Sequence, residues 1–226
     1  WDYAPVPGGI AFSRVSPEGE EGFPGALAVT VTYTLLRDGI CIRYEAESTR
    51  DTFVSLTNHA YFNLAGHGNG SVLDHTLALA AEEYTPAGAD NLPFGRLAPV
   101  AGTALDFCTE NSLGARIGDA LLAPLHGYDH NFALSGRGIR RAAKLSCPRS
   151  GVSMAVDTTM EGMQLYTANF LSARAGKGGV QYEPYSGVCL ETQRFPDAMH
   201  HAAFPSPLLR AGMRYDERTE YRFTLV

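Results

Sequence analysis

Leu27-Ala28-Val29-Thr30-Val31-Thr32-Tyr33-Thr34-Leu35-Leu36-Arg37-Asp38-Gly39-Ile40-Cys41-Ile42-Arg43-Tyr44-Glu45-Ala46 decides the fold class. Leu27, Val29, Val31, Tyr33 and Leu35 recur with period two, and after Arg37-Asp38-Gly39 the period resumes at Ile40, Ile42, Tyr44 and Ala46. Alternation broken by an Asp-Gly pair, which tolerates the backbone of a tight turn, predicts a β-hairpin. Working outward, His75, Leu77, Leu79 and Ala81 repeat the pattern, ending at Tyr84-Thr85-Pro86. Ala142 to Cys147 is expected to pair with Val152 to Thr158 across Pro148-Arg149-Ser150-Gly151. Gln164 to Phe170, Gly187 to Gln193 and Glu220 to Val226 are further strand candidates.

Only Asn111 to Leu122 predicts a helix, with Asn111 or Ser112 as its cap and Leu113, Ile117 and Leu121 spaced at four. Short strands separated by turns, in a chain with 24 Gly and 13 Pro, imply an all-β antiparallel sandwich or barrel. The 226 residues, 45% hydrophobic, suffice for one sizeable core, and a single domain over 1–226 is the expectation.

The net charge of -6 is spread over both signs without a basic stripe, so a nucleic-acid partner is not expected. No apolar run reaches the roughly 20 residues of a membrane helix, and Trp1-Asp2-Tyr3-Ala4-Pro5 lacks the basic and apolar segments of a signal peptide. The chain therefore reads as soluble and intracellular, with no membrane partner. Cys41, Cys108, Cys147 and Cys189 form no Cys-x-x-Cys pair, which argues against zinc and leaves four buried thiols as the expectation. Asn69-Gly70-Ser71 is read as a turn rather than a glycosylation site, and the glycine-rich loops at 66–70 and 176–179 do not lead from a strand into a phosphate-binding helix.

Chemistry concentrates in a few segments. Leu56-Thr57-Asn58-His59-Ala60-Tyr61-Phe62-Asn63-Leu64 sets an imidazole among hydrogen-bonding side chains and aromatic rings, a setting that suits a sugar. Histidine titrates near neutrality, so His59 is a candidate for giving or taking a proton, or else a structural histidine held by a backbone carbonyl. Asp129, in Gly127-Tyr128-Asp129-His130-Asn131-Phe132, is either a grip for vicinal hydroxyls or the cap of an Asx turn. His126 and His130 have the four-residue spacing of a metal pair, but Gly127 and the absent helical period speak against it. Glu191 interrupts an apolar strand, where partial burial would raise its proton affinity towards that of a general base; the alternative is an ion pair with Arg194 or another basic residue, or a solvent-facing position. Gln164 alternates with apolar neighbours and offers a donor and an acceptor to a hydroxyl, or else lies on a strand surface.

Taken together, Thr57 to Leu64, Gly127 to Phe132, Gln164 to Phe170 and Leu190-Glu191-Thr192-Gln193-Arg194-Phe195-Pro196-Asp197 resemble, in order and spacing, the aldose 1-epimerase family, the galactose mutarotases. Ser16 to Gly25 and Phe204-Pro205-Ser206-Pro207 are also similar to family segments, so the likeness spans essentially the whole chain. It implies a large antiparallel β-sandwich with a sugar in an open cleft, and a cofactor-free, metal-free interconversion of α and β anomers of a small aldose such as galactose or glucose in the cytoplasm. On this resemblance His59 protonates the ring oxygen, Glu191 takes the proton from the C1 hydroxyl, and Asp129, Gln164 and Asn58 hold substrate.

Members usually carry an upstream region that adds strands and supplies an Arg and a second His to the sugar site. Trp1 to Phe12 offers no counterpart for either, so the resemblance implies an N-terminally incomplete sandwich with a bare sheet edge. Three other readings follow from the same residues. One is a sugar-binding sandwich that no longer turns over, one a glycosidase using Asp129 and Glu191 as its carboxylate pair, and one an epimerase of phosphorylated hexoses, for which Arg137, Arg140 and Arg141 are the only basic cluster.

Overall fold

The hairpin forms as expected: β3 (Leu27–Leu36) and β4 (Gly39–Ser48) pair antiparallel, with Leu36 opposite Gly39 at the turn. A computed structural model describes residues 1–88 and 90–225, and in it this hairpin lies within a nine-stranded sheet. The order of that sheet is β1 (Asp2–Val6), β2 (Gly9–Ser16), β3, β4, β18 (Arg214–Leu225), β12 (Val152–Thr158), β11 (Arg140–Cys147), β6 (Thr76–Leu79) and β9 (Asn111–Ser112). A second, five-stranded sheet runs β16 (Cys189–Gln193), β13 (Gly162–Tyr166), β10 (Asp129–Ala133), β7 (Glu83–Tyr84) and β8 (Ala98–Pro99). Two small ribbons complete the described strands, β14 (Arg174–Ala175) with β15 (Gln181–Tyr182) and β17 (Leu208–Leu209) with β5 (Thr52–Phe53).

Period-two sequences explain how the two sheets meet. Leu77, Leu145, Met154, Val156 and Tyr221 project from the large sheet and Phe132, Met163, Leu165 and Leu190 from the smaller one, all within one core cluster and all at 1% exposure or less. Each sheet thus buries one face against the other, which is the β-sandwich expected from the sequence. Register follows the same logic: Cys147 faces Val152 and Arg140 faces Thr158, with a bulge between Arg141 and Ala143.

Three expectations fail. Asn111 to Leu122 is not a helix: after the short β9 the chain proceeds by successive turns, such as Asp119 N–H to Arg116 O at 3.0 Å. The Leu113 and Gly114 amides bond across the chain to His75 O (2.9 Å) and Leu73 O (2.8 Å) instead of closing a helical turn. A Cβ on Gly114 would lie 2.8 Å from the Leu73 carbonyl, so only glycine permits that approach. The thiols are not uniformly buried either: Cys147 and Cys189 are, Cys41 is half-buried and Cys108 is exposed, since its strand-less neighbourhood leaves it at the surface. Finally, β1 and β2 extend the large sheet although the sequence reading began its strands only at Gly25. The predicted terminal strand falls within β18, and Val226 lies outside the described residues. Among the described residues no helix is long and apolar enough to cross a membrane.

Leu145 is fully buried on β11, opposite Met154 and Leu77. Leu145→Ala is expected to cost about 2–5 kcal/mol through the cavity it leaves. Urea unfolding checks this as a lowered midpoint at unchanged slope.

Candidate functional site

Three neighbouring strands of the five-stranded sheet lay out the site as a grid. Pairing of β10 with β13 and of β13 with β16 aligns Asp129, Tyr166 and Cys189 in one row. Asn131, Gln164 and Glu191 form the next, and Ala133, Gly162 and Gln193 the third. Because side chains alternate along a strand, these nine positions share one face while Phe132, Met163, Leu165 and Leu190 turn to the core. Polar groups within the grid bond to one another: Gln164 Nε2 donates to Asp129 Oδ1 at 2.7 Å, and Gln193 Nε2 donates to Asn131 Oδ1 at 3.2 Å and Gln164 Oε1 at 3.4 Å. Gly162 is the space in the grid, since a Cβ there would stand 2.8 Å from Asn131 Oδ1.

His59 arrives from outside the grid, on a segment without ladder bonds of its own. Phe62 and Val188 exchange two backbone hydrogen bonds of 2.9 Å, which fastens the segment beside β16. The Leu64 amide donates to His75 Nε2 at 3.0 Å. That bond fixes the His75 proton on Nδ1, which donates to Asp74 Oδ1 at 2.8 Å. Burial lowers the proton affinity of His75 and so keeps its ring neutral for this task.

Asn58 belongs to the same anchoring. It was expected to contact substrate, yet it is not among the residues lining the cleft. Its Nδ2 donates to the Tyr44 hydroxyl at 2.9 Å, and the Tyr221 hydroxyl, 3.0 Å from Asn58 Oδ1 and 2.9 Å from Leu190 O, shares its proton between them. Two tyrosines at 1% exposure therefore hold the residue next to His59 by its amide.

The other four predicted residues come together. His59 Nε2 lies 3.5 Å from Glu191 Oε1, and both line a cleft of about 1010 Å³ with Asp129 and Gln164. Tyr61 stacks on the His59 ring at 4.9 Å and 27°, and Tyr166 meets it edge-on at 5.9 Å. Burial pushes the Glu191 carboxyl above the usual range, opposed by the nearby His59 and reinforced by Asp129. Burial raises Asp129 as well, while its Gln164 hydrogen bond and His59 oppose the rise. Glu191 does not pair with Arg194, which is taken by Glu161 at 2.9 Å and Glu217 at 3.2 Å, and at 8% exposure it does not face solvent; its basic neighbour is His59. Asp129 sits in a strand, not an Asx turn.

The sequence reading missed Asn131, Tyr166, Cys189 and Gln193. The signal was present as the i±2 neighbours of Asp129, Gln164 and Glu191, which must share their face. His59, Cys189 and Glu191 also bring three metal-ligand types within 4.8 Å of one another. The histidine presents Nδ1 to the thiol and Nε2 to the carboxylate, however, and an ion can take only one ring nitrogen, so the arrangement fits proton transfer better than chelation. A second such cluster, Asp74, His75 and Cys147, already uses both His75 nitrogens in the bonds above.

The aldose 1-epimerase family profile matches residues 1–222. The chain is 43% identical over 227 residues to the galactose mutarotase of Pongo abelii and 42% identical to that of Homo sapiens, covering 100% of itself and 66% of either relative. The aldose 1-epimerase of Escherichia coli K12 is 36% identical over 220 residues, with 95% of this chain and 63% of the relative covered. Among solved structures, an aldose epimerase homologue from C. elegans superposes with a TM-score of 0.89 at 27% identity, covering 100% of this chain and 69% of the other. The galactose 1-epimerase of Lactobacillus acidophilus gives 0.83 at 25% identity, covering 100% and 66%. The chain thus spans 66% of the length of the mammalian mutarotases it matches. With a family match over 222 residues and relatives above 40% identity along its whole length, the chain belongs to the aldose 1-epimerase family.

Proposed function

We propose that residues 1–226 act as one domain that interconverts the α and β anomers of hexoses such as galactose and glucose. Glu191 serves as base and His59 as acid, and Asp129 and Gln164 hold hydroxyls. One observation carries the reading: His59 Nε2 and Glu191 Oε1 stand 3.5 Å apart at the edge of a polar grid. The hydroxyl and ring oxygens of a cyclic aldose are bonded to the same carbon, so an acid and a base that serve them must be close neighbours. Glu191 removes the C1 hydroxyl proton, the C1–O5 electron pair passes to O5, and His59 Nε2 delivers a proton there. The free aldehyde turns about C1–C2 and closes on its other face as both transfers reverse.

Desolvation suits Glu191 to this work, since a carboxylate denied full hydration is a stronger base than an exposed one. The Asp129 carboxylate, held by Gln164 at 2.7 Å, offers its remaining lone pairs to hydroxyls. Tyr61 and Tyr166, set edge-on to each other at 75°, supply apolar ring surface against which the C–H face of a pyranose packs. The partner is a free aldose rather than a polyanion or a membrane. A cytoplasmic setting goes with this reading, as the four cysteines are unpaired.

Polarimetry on freshly dissolved α-D-galactose or α-D-glucose tests the proposal. Glu191→Ala and His59→Ala are each expected to lower the rate by roughly 10²- to 10⁴-fold. Equal rates for the parent chain and both variants would refute it. Galactose binding by calorimetry together with a bare-buffer rate would favour the non-catalytic sugar-binding sandwich instead.

A second prediction concerns stability. The folded state raises the Glu191 proton affinity, so at pH 7 the fold carries an anion it disfavours, and that cost disappears only as the pH falls through the carboxylate range. Glu191→Gln is therefore expected to make the fold more stable at pH 7 while abolishing turnover. Urea unfolding at pH 7 and pH 4 should show the gain shrinking at the lower pH.

A further inference from the structure

The Sγ of Cys189 lies 3.4 Å from His59 Nδ1, on the opposite side of the ring from Glu191. Cys189 is two residues before Glu191 on β16 and so shares its face, in the grid row of Asp129 and Tyr166. It is fully buried among Tyr166, Ala168 and Leu171. His59 is therefore bounded by a carboxylate at Nε2, a sulfur at Nδ1, Tyr61 across its plane and Tyr166 at its edge.

We propose that Cys189 is a positioning residue for His59, a partner at Nδ1 that can both donate and accept and so holds the ring in each of its protonation states. This rests on the mutarotase reading for its role in turnover, but the contact itself does not. In the neutral ring the Glu191 carboxylate accepts from Nε2–H, and the Cys189 S–H donates to the bare Nδ1. In the protonated ring both nitrogens carry hydrogen, the thiol turns its own hydrogen away, and sulfur accepts from Nδ1–H. When Nε2 gives its proton to O5, the ring remains Nδ1–H with sulfur still accepting. No hydrogen leaves Cys189 at any point. Thiols are weak donors and weak acceptors, so neither state is trapped. A carboxylate at this position would hold the ring as a cation, and an alkyl group would let it turn.

Cys189 can play both parts only as a protonated thiol, and burial, reinforced by Glu191 and Asp129, pushes its proton affinity far up. Among the described residues, the titratable groups facing the ring are Glu191 and Cys189 from β16, Asp129 from β10, Tyr166 from β13, and Tyr61 from its own segment.

The test is a long-range proton–nitrogen NMR titration of histidine-labelled chain, read beside polarimetry. The parent is expected to show neutral His59 mainly as the Nε2–H tautomer. Cys189→Ala should move the tautomer ratio about 2- to 5-fold towards Nδ1–H, the equivalent of a weak hydrogen bond, and shift the pH midpoint of kcat with KM little changed. Cys189→Ser, which keeps a donor and an acceptor, should restore both. If Cys189→Ala changes only the unfolding midpoint and leaves the tautomer ratio and pH profile as in the parent, the residue merely fills space and the proposal falls. If the tautomer ratio responds while Glu191→Ala and His59→Ala turn over like the parent, the contact stands and the mutarotase reading fails.

Discussion

An imidazole proposed to hand over a proton is useful only if it stays put, and the segment carrying His59 has no sheet of its own to hold it. Side-chain bonds take the place of a ladder. Asn58 is clamped by Tyr44 and Tyr221, Phe62 is stitched to Val188, and the Leu64 amide is received by a neutral His75. Tyr44 and Tyr221 are themselves core residues of the large sheet. The position of a group over the small sheet is thus set by packing in the layer beneath it. The sandwich and the site are a single mechanical problem.

Glu191 and Asp129 present the complementary electrostatic problem. Burial raises the proton affinity of both acids on this face, Asp129 raises that of Glu191 further, and His59 is the nearby group whose positive form lowers both. The fold tolerates this through the amides of Gln164, Gln193 and Asn131, which bond within the grid without neutralising any charge. Dipoles of that kind leave a carboxylate reactive, whereas an arginine would quench it. Arg194, which comes closest to Glu191 in sequence, is diverted to Glu161 and Glu217.

Much of this was legible in the chain. Alternation fixes a strand wherever one face is buried and the other is not, which is why β3, β4, β11, β12 and the last half of β18 are legible directly. The segment at 111–122 misled because its leucines meet a helical spacing by accident, while Gly114 and Gly118 make helix costly and the cross-chain bonds to Leu73 and His75 cannot be seen from local sequence. Motif order points to His59, Asp129, Gln164 and Glu191, which the fold brings to one cleft, whereas Asn58 faces Tyr44 and Tyr221, since nothing local shows which way an amide beside a histidine points. Cys189 was overlooked because a thiol in an apolar strand looks like core, and only the sheet register reveals that it sits in line with Asp129 and Tyr166.

The grid of β10, β13 and β16 carries an evolutionary consequence. Substitutions at its nine positions adjust one contact at a time. Deleting or inserting a single residue inside β13 would rotate every side chain beyond that point to the opposite face, sending Gln164 or Tyr166 into the apolar interior and Leu165 towards the cleft. Drift in this lineage should therefore accumulate length changes in the connecting loops, while these three strands keep their residue count.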